Sequence, residues 1–323
     1  LEKLQERSAD TGSHIAYLGL REQLKKIEAT YPFKAFQGHN LENCSGSQLY
    51  NCKDVHMSFD CDDVEHGKFL YQVVIGAKNV YDAYQYGNNF QMSYENSICG
   101  LNGYQYFFCH ETHWSNDIFY GWYMETCKNC FGCANMHHQQ YCILNKQYTK
   151  EEYEILVPRI IEHMRSTGEW GEFLPLTHIL HGYNRTTAFL HYPLKKEEAE
   201  ERGIPWDDYE LPPPQVDRII QAQDLQDNIN DAPSDIARCA IQCEETGKLF
   251  RITPQEFAYY KSQRIPLPRR DWNQRHVDRF ARRTPRRLWK RNCANCGGEM
   301  ETTYAPDRPE IVFCEKCYLK EVY

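Results

Sequence analysis

The sequence has no apolar run near the length of about 18 residues that crossing a bilayer requires, so no membrane span is expected. It has no methionine at its start. Leu1 leads into a charged stretch without the basic, apolar, small-residue order of a secretory leader. The natural amino terminus is therefore expected upstream of Leu1, and the chain in a reducing cytoplasm. Phosphate-cradling glycine loops, a nucleophile elbow, paired metal-binding histidines and paired catalytic acids are all missing. No familiar enzyme class is left by these absences. Helix formers are scarce between about Asn40 and Tyr148, where Asn, Cys, Gly, Tyr and Phe replace them.

What the chain does have is cysteine: 15 in 323 residues. Without an export signal these read as metal ligands or buried thiols more readily than as disulfides. The pairs Cys293/Cys296 and Cys314/Cys317 form two C-x-x-C knuckles, and 17 residues lie between them. Each knuckle turns two sulfurs toward one point, so four thiolates can surround one zinc ion with no position left open, which makes the site structural. A second half-ribbon begins at Cys239 and Cys243. Where its other knuckle belongs, the sequence has Arg269 to His276, with His276 the one ligating residue. Either that ribbon keeps its shape without metal, or Cys239, Cys243 and His276 hold a second zinc.

In the tyrosine-rich region, Cys52, Ala77, Leu101 and Cys127 each open a similar tetrapeptide, at spacings of 25, 24 and 26. A period in the twenties followed by apparent two-residue alternation (Val55, Met57, Phe59, Cys61) predicts a short, right-handed parallel β-solenoid of about four coils over residues 40–149. In that reading Val55, Val80, Tyr104 and Cys130 stack on one another. A solenoid's open ends template aggregation and need caps. Residues 1–39 are expected to form a helical cap, with Ile15, Leu18, Leu20, Leu24 and Ile27 near one face. The capping box from Thr149 to Glu152 opens a second cap helix to about Arg165. An irregular strap then runs to residue 233. Residues 234–323 form the ribbon domain, divided into a degenerate ribbon (235–276), a basic helix (274–291) and the four-cysteine ribbon (291–323). The fold class is thus mainly β with capping helices and a carboxy-terminal zinc ribbon.

Cys127, Cys130 and Cys133, with His137, His138 and Cys142 nearby, invite a catalytic or cluster-binding reading. Against it, Cys130 and Cys133 are expected on opposite faces of a strand, and cysteines recur in other coils without partners. Net charge is −8, yet residues 264–292 carry about +9, leaving about −17 for the remainder. Arg270, Arg275, Arg279, Arg282, Arg283, Arg286, Arg287, Lys290 and Arg291, interleaved with Trp272 and Trp289, suit phosphate contact and base stacking. RNA or a ribonucleoprotein is one expected partner. The other reading pairs these arginines with the protein's own acidic residues and makes the molecule an assembly protein whose solenoid coils or caps contact a protein partner or a second copy of itself.

The stretch Cys130-Phe131-Gly132-Cys133, then Gln140-Tyr141-Cys142-Ile143-Leu144-Asn145-Lys146-Gln147-Tyr148-Thr149-Lys150-Glu151-Glu152-Tyr153, resembles a family of zinc-ribbon and β-solenoid proteins abundant in candidate-phyla-radiation bacteria. Phe250-Arg251-Ile252, Glu256-Phe257, Tyr259-Tyr260, Pro266-Leu267-Pro268, Arg270, Thr302-Thr303-Tyr304 and Cys314-Glu315-Lys316-Cys317-Tyr318 extend the likeness over most of the chain. The resemblance implies this architecture and carries no activity with it. The chain departs from the family where a Cys-Pro-x-Cys knuckle is replaced by Asp271-Trp272-Asn273-Gln274, which argues against zinc there. Many relatives place their ribbons before the solenoid; here they follow it.

Overall fold

The structure is a computed structural model that describes residues 12–85, 87–178 and 181–322. Its centre is a β-solenoid with a period of three residues along the chain. From Asn51 to Gln72, every third residue (Asn51, Asp54, Met57, Asp60, Asp63, His66, Phe69, Gln72) has φ between +50° and +59°. Each such left-handed residue turns the chain at a corner, and the residue after it points inward. Cys52, Val55, Ser58, Cys61, Val64, Leu70 and Val73 are accordingly buried. Asn and Asp tolerate this conformation because the short polar side chain bonds locally. Met57, Phe69, Ile75, Trp114 and Leu144 adopt it too, at about 1 kcal/mol each, offset by the parallel ladder that the corner permits.

Four inward positions complete one coil, so the coil is 12 residues long. Gly46 lies over Ser58 and Leu49 over Cys61. In the middle it lengthens to 13, as Gly67 over Val80 and Val80 over Ser93, and beyond Tyr106 it returns to 12. All inter-coil strand pairs are parallel, and the stack has about nine coils. The expected period of about 25 is therefore two coils, and the count of four is corrected to about nine. One inward column runs Val55, Gly67, Val80, Ser93, Tyr106, Ile118, Cys130, Cys142. Val55, Val80 and Cys130 do share it, with other coils between successive anchors. Tyr104 lies two residues away and faces outward. Met57, expected inward from alternation, is a corner. The strand alternates by threes because a left-handed residue interrupts every pair of extended ones.

A coil this short encloses little space, so its four inward residues share a fixed volume. Tyr106 fills one layer, and Gly103 makes room for it: a Cβ on Gly103 would lie 2.1 Å from the Tyr106 ring. The backbone N–H of Ser115 donates to the buried Tyr106 hydroxyl at 2.9 Å. We expect Gly103→Ala to cost about 3 kcal/mol or more through overpacking, read as a lower denaturant midpoint, and Gly103→Ala with Tyr106→Phe to recover little, because ring atoms and hydroxyl clash alike.

The corners also explain nine of the cysteines, Cys44 through Cys142. The carbonyl two residues before an inward side chain is left pointing into the tube, and a thiol there donates to it: Cys52 to Tyr50 O, Cys61 to Phe59 O, Cys109 to Phe107 O and Cys133 to Phe131 O, all at 3.1–3.4 Å. Ser58 and Ser115 do the same at 2.8 Å. Cysteine thus packs as a small apolar group and still satisfies a buried acceptor.

At the carboxy end the antiparallel strand Lys146–Gln147 folds back on the last coil. Helix α2 (Lys150–Thr167) then covers it, where α1 is His14–Glu28. Both bonds of the capping box form, and Gly168 ends α2 with φ +78°. Tyr153 and Val157 pack on Phe131 and Ile143, and Trp170 stacks on Phe131. The amino end differs from expectation. Helix α1 buries no residue, so it is not a cap; residues 1–11 of the expected cap lie outside the described residues. The first coil instead faces the carboxy-terminal ribbon: Leu41, Cys44 and Leu49 line one crevice together with Leu288 and Met300. The strap carries short helices α3 (Thr187–His191) and α4 (Lys196–Glu201), and is braced within itself by Arg185 to Asp207 and Lys196 to Asp208. After it come α5 (Pro254–Gln263), α6 (Trp272–Phe280) and α7 (Glu315–Val322). The expected basic helix 274–291 is shorter. It ends at Phe280, and Trp289–Asn292 is a strand, because Pro285 cannot continue a helix.

Candidate metal centre and basic segment

Trp289–Asn292 pairs antiparallel with Glu299–Thr302, and the first knuckle is the turn between them. Cys293 N–H donates to Gly298 O at 2.8 Å and Gly297 N–H to Cys293 O at 2.9 Å, with Gly297 at φ +72°. The second knuckle joins the strand Val312–Phe313 to α7, whose first turn carries Cys317. Ala294 N–H bonds Val312 O at 3.0 Å and so locks the two knuckles together. The sulfurs of Cys293, Cys296, Cys314 and Cys317 all lie within 4.8 Å of one another, and Cys296 and Cys314 are 3.9 Å apart. A tetrahedron of thiolates about 2.3 Å from a metal has edges of about 3.8 Å, so the four sulfurs fit a metal ion with no rearrangement of the backbone.

The electrostatics agree. Desolvation pushes the Cys293 thiol up, but the backbone N–H groups of Cys296, Cys314 and Asn295 outweigh it and hold the group at about 6. Cys314 N–H itself donates to Cys293 Sγ at 3.2 Å. Cys317 is pushed up to about 12, first by Cys314 and then by burial and the sulfurs of Cys296 and Cys293. One thiolate is ready-made and another is opposed by its neighbours, the arrangement that a bound cation would relieve.

The ribbon is tied to the chain's other end. Phe33–Lys34 pairs in parallel with Val312–Phe313, Thr302 Oγ1 donates to Ala35 O at 2.6 Å, and Lys34 meets Glu315 at 2.7 Å. Ala35, Tyr304 and Val312 form a small buried core with Phe33, Phe36 and Met300. A two-residue strand leaves no periodic signal, and sequence reasoning missed it.

At the other half-ribbon the residues do not converge on a metal. Among the described residues the carboxy-terminal set of four cysteines is the one cluster of three or more potential ligands within that distance. Cys239 donates to Asp235 O at 3.6 Å, and His276 lies beside the Phe280 ring. Asp271 takes the place of the missing knuckle. Its carboxylate caps α6 at the N–H groups of Asn273 and Gln274 and accepts from Thr246 at 2.9 Å. The ribbon's hairpin, Ala240–Gln242 with Leu249–Phe250, stands on an apolar core around Ile229, Ile236, Ile241 and Ile252.

Cys127, Cys130, Cys133 and Cys142 all point inward, which corrects the expectation that Cys130 and Cys133 face opposite ways; three residues apart is one side of the coil. His137 and His138 are exposed outside it, with His137 3.0 Å from Glu125. Burial pushes the Cys127 and Cys142 thiols up, the reverse of what a nucleophile needs; the Cys130 thiol holds Cys133 down to about 7, but that side chain is enclosed in the tube.

Most of the basic segment is engaged within the molecule. Arg270 meets Glu244, Glu245 and Asp278 at 2.9–3.2 Å. Arg275 bonds Tyr260 and Glu256, and Arg269 and Arg291 bond main-chain carbonyls. Arg283 and Arg286 reach the solenoid and share Asp60. Arg287 lies over the Trp289 ring. Arg279, Arg282 and Lys290 are exposed and make no ion pair among the described residues, and Trp272 stands 64% exposed. Within the described residues no helix is long and apolar enough to cross a membrane. Compared with known proteins, the chain matches no family model, no curated protein and no solved structure.

Proposed function

We propose that the chain is a non-catalytic assembly scaffold, held in shape by one zinc ion at Cys293, Cys296, Cys314 and Cys317, that pairs with a second copy of itself through α1. The observation that carries this is the seam on α1. Tyr17, Leu20, Leu24, Ile27 and, just past the helix, Tyr31 follow the alternating three- and four-residue spacing of a coiled coil, and all are 37–65% exposed. Among the described residues only the first turn is anchored: Ser13 and Ile15 bond the Asp227 carboxylate at 2.6 and 2.8 Å. An antiparallel partner that sets Leu24 against Ile27 of the partner subunit also sets Arg21 beside the partner's Glu28, and Glu28 beside the partner's Arg21. A parallel partner offers no opposite charges across the seam. The use of Arg270, Arg275, Arg283 and Arg286 within the molecule supports assembly over nucleic-acid binding. Zinc is favoured because an all-thiolate tetrahedral set with no open position suits it and supplies structure.

Sedimentation equilibrium of the full chain is expected to show a reversible dimer. Leu24→Glu should weaken it at least about tenfold, since each chain then buries a charge in the seam. A wild-type chain that stays monomeric at about 100 µM would remove the proposal. RNA is the second reading, and the exposed Arg279, Arg282, Arg287 and Lys290 favour it. Their joint replacement by Ala leaves the internal ion pairs intact. If RNA is retained by the native chain with steep salt dependence and lost by that variant, the nucleic-acid reading takes the place of assembly.

A further inference from the structure

Where the solenoid, the strap and the ribbon domain meet they leave a crevice of about 420 Å³, within the range of small-molecule sites. Three guanidiniums line it, those of Arg283, Arg286 and Arg308, and the lining holds a single carboxylate, Asp60. Arg308 also pairs with Glu310, which does not line the crevice. One to two positive charges are therefore left unmatched. Arg286 is the telling residue. Its side chain is 5% exposed. Its Nε, at 3.0 Å, and its Nη2, at 2.9 Å, both rest on one carboxylate oxygen, Oδ2 of Asp60. One carboxylate thus serves two guanidiniums, Arg283 and Arg286, which leaves forked donors for a second anionic group. His191 adds no charge: burial, then Arg286 and Arg283, push it down to about 4. Phe59, Leu190 and Phe280 supply apolar wall.

We propose that this crevice binds a phosphate monoester. Such a group carries a charge between one and two at neutral pH and three acceptor oxygens, which matches the unmatched charge and the forked donors of adjacent arginines. The apolar wall takes the organic part. The inference is independent of self-association through α1, and neither depends on the other.

Calorimetric titration of the full, metal-loaded chain with inorganic phosphate and with glycerol phosphate tests it, using sodium chloride at matched ionic strength as the reference. Both phosphates are expected to bind, the ester more tightly. Arg283→Gln should weaken phosphate about tenfold; this side chain is 49% exposed, so its loss leaves the fold standing. Asp60→Asn, which removes the competing carboxylate, should tighten phosphate by a similar factor. The proposal is overturned if the native chain takes up neither phosphate beyond chloride, or if Arg283→Gln binds both as the native chain does. Should Asp60→Asn fail to fold, the Arg283→Gln comparison decides alone.

Discussion

Chelating the proposed zinc ion is expected to unfold residues 291–322 and to release the amino-terminal strand with them. The binding free energy of a structural zinc is folding free energy, on the order of 10 kcal/mol in small zinc domains. Here little else can hold the segment: its hairpin has four residues on each strand, and its core consists of Ala35, Tyr304 and Val312 with a few partly buried neighbours. Because Phe33–Lys34 pairs with Val312–Phe313, loss of the metal also frees the strand that leads into the first coil. The measurement is thiol alkylation of the native chain before and after chelation. Before it, the buried solenoid thiols stay unlabelled: burial pushes Cys52 up to about 11 and Cys61 and Cys109 up to about 12, and Cys133, held down to about 7 by Cys130, is enclosed; partly exposed Cys44 alone among the solenoid thiols is open to reagent. After it, Cys293, Cys296, Cys314 and Cys317 label together, and proteolysis removes the carboxy-terminal segment while the solenoid survives. Cys314→Ser should behave as the chelated protein does and carry no metal by elemental analysis. A Cys314→Ser chain that keeps a full equivalent of zinc and the native proteolysis pattern would refute the site.

The parts that were legible in the sequence are those whose chemistry is local. Cys293 and Cys296 announce a knuckle because ligand spacing is a property of three bonds and a turn. Thr149 and Glu152 announce a helix start because both partners of the box lie within one turn. The solenoid was legible as a class and misread in its period. Val55, Val80 and Cys130 fall in one column, so a repeat of two coils looked like a repeat of one. The three-residue rhythm was hidden because Met57, Phe69 and Ile75 occupy left-handed corners, where composition alone predicts Asn, Asp or Gly. The cap at the amino end was misassigned for a different reason. The seam of α1 is apolar, and an apolar face reads as buried in a single chain; the structure leaves it open. Least legible were the contacts between distant segments. Phe33–Lys34 is too short for any pattern, and Asp60 resembles every other corner aspartate until Arg286 arrives from 226 residues away.

That last contact should also carry a large single-residue effect. Arg286 is buried against Asp60, with its guanidinium 5.5 Å from the centre of the Tyr71 ring, and Tyr71 in turn is stacked on Phe59. Removing one partner of such a pair leaves the other charge poorly solvated, which typically costs 3 to 5 kcal/mol. Asp60 is 23% exposed and retains Arg283 at 3.5 Å, so the lower part of that range applies, and Arg286→Ala is expected to destabilise by about 3 kcal/mol. The loss falls on the junction between solenoid and ribbon domain and not on either core. Hydrogen exchange should therefore quicken around Asp60 and residues 281–288 while the columns at Val80 and Ile118 stay protected. Charge and volume can be told apart. Arg286→Met with Asp60→Asn keeps most of the packing against Tyr71 and removes both charges, and a buried pair replaced as a unit costs little. The double variant should then recover more than half of what Arg286→Ala loses. If it is instead as unstable as the sum of its two single variants, the clamp works through hydrogen bonds that neither methionine nor asparagine can replace, and the ion pair is not what joins the two domains.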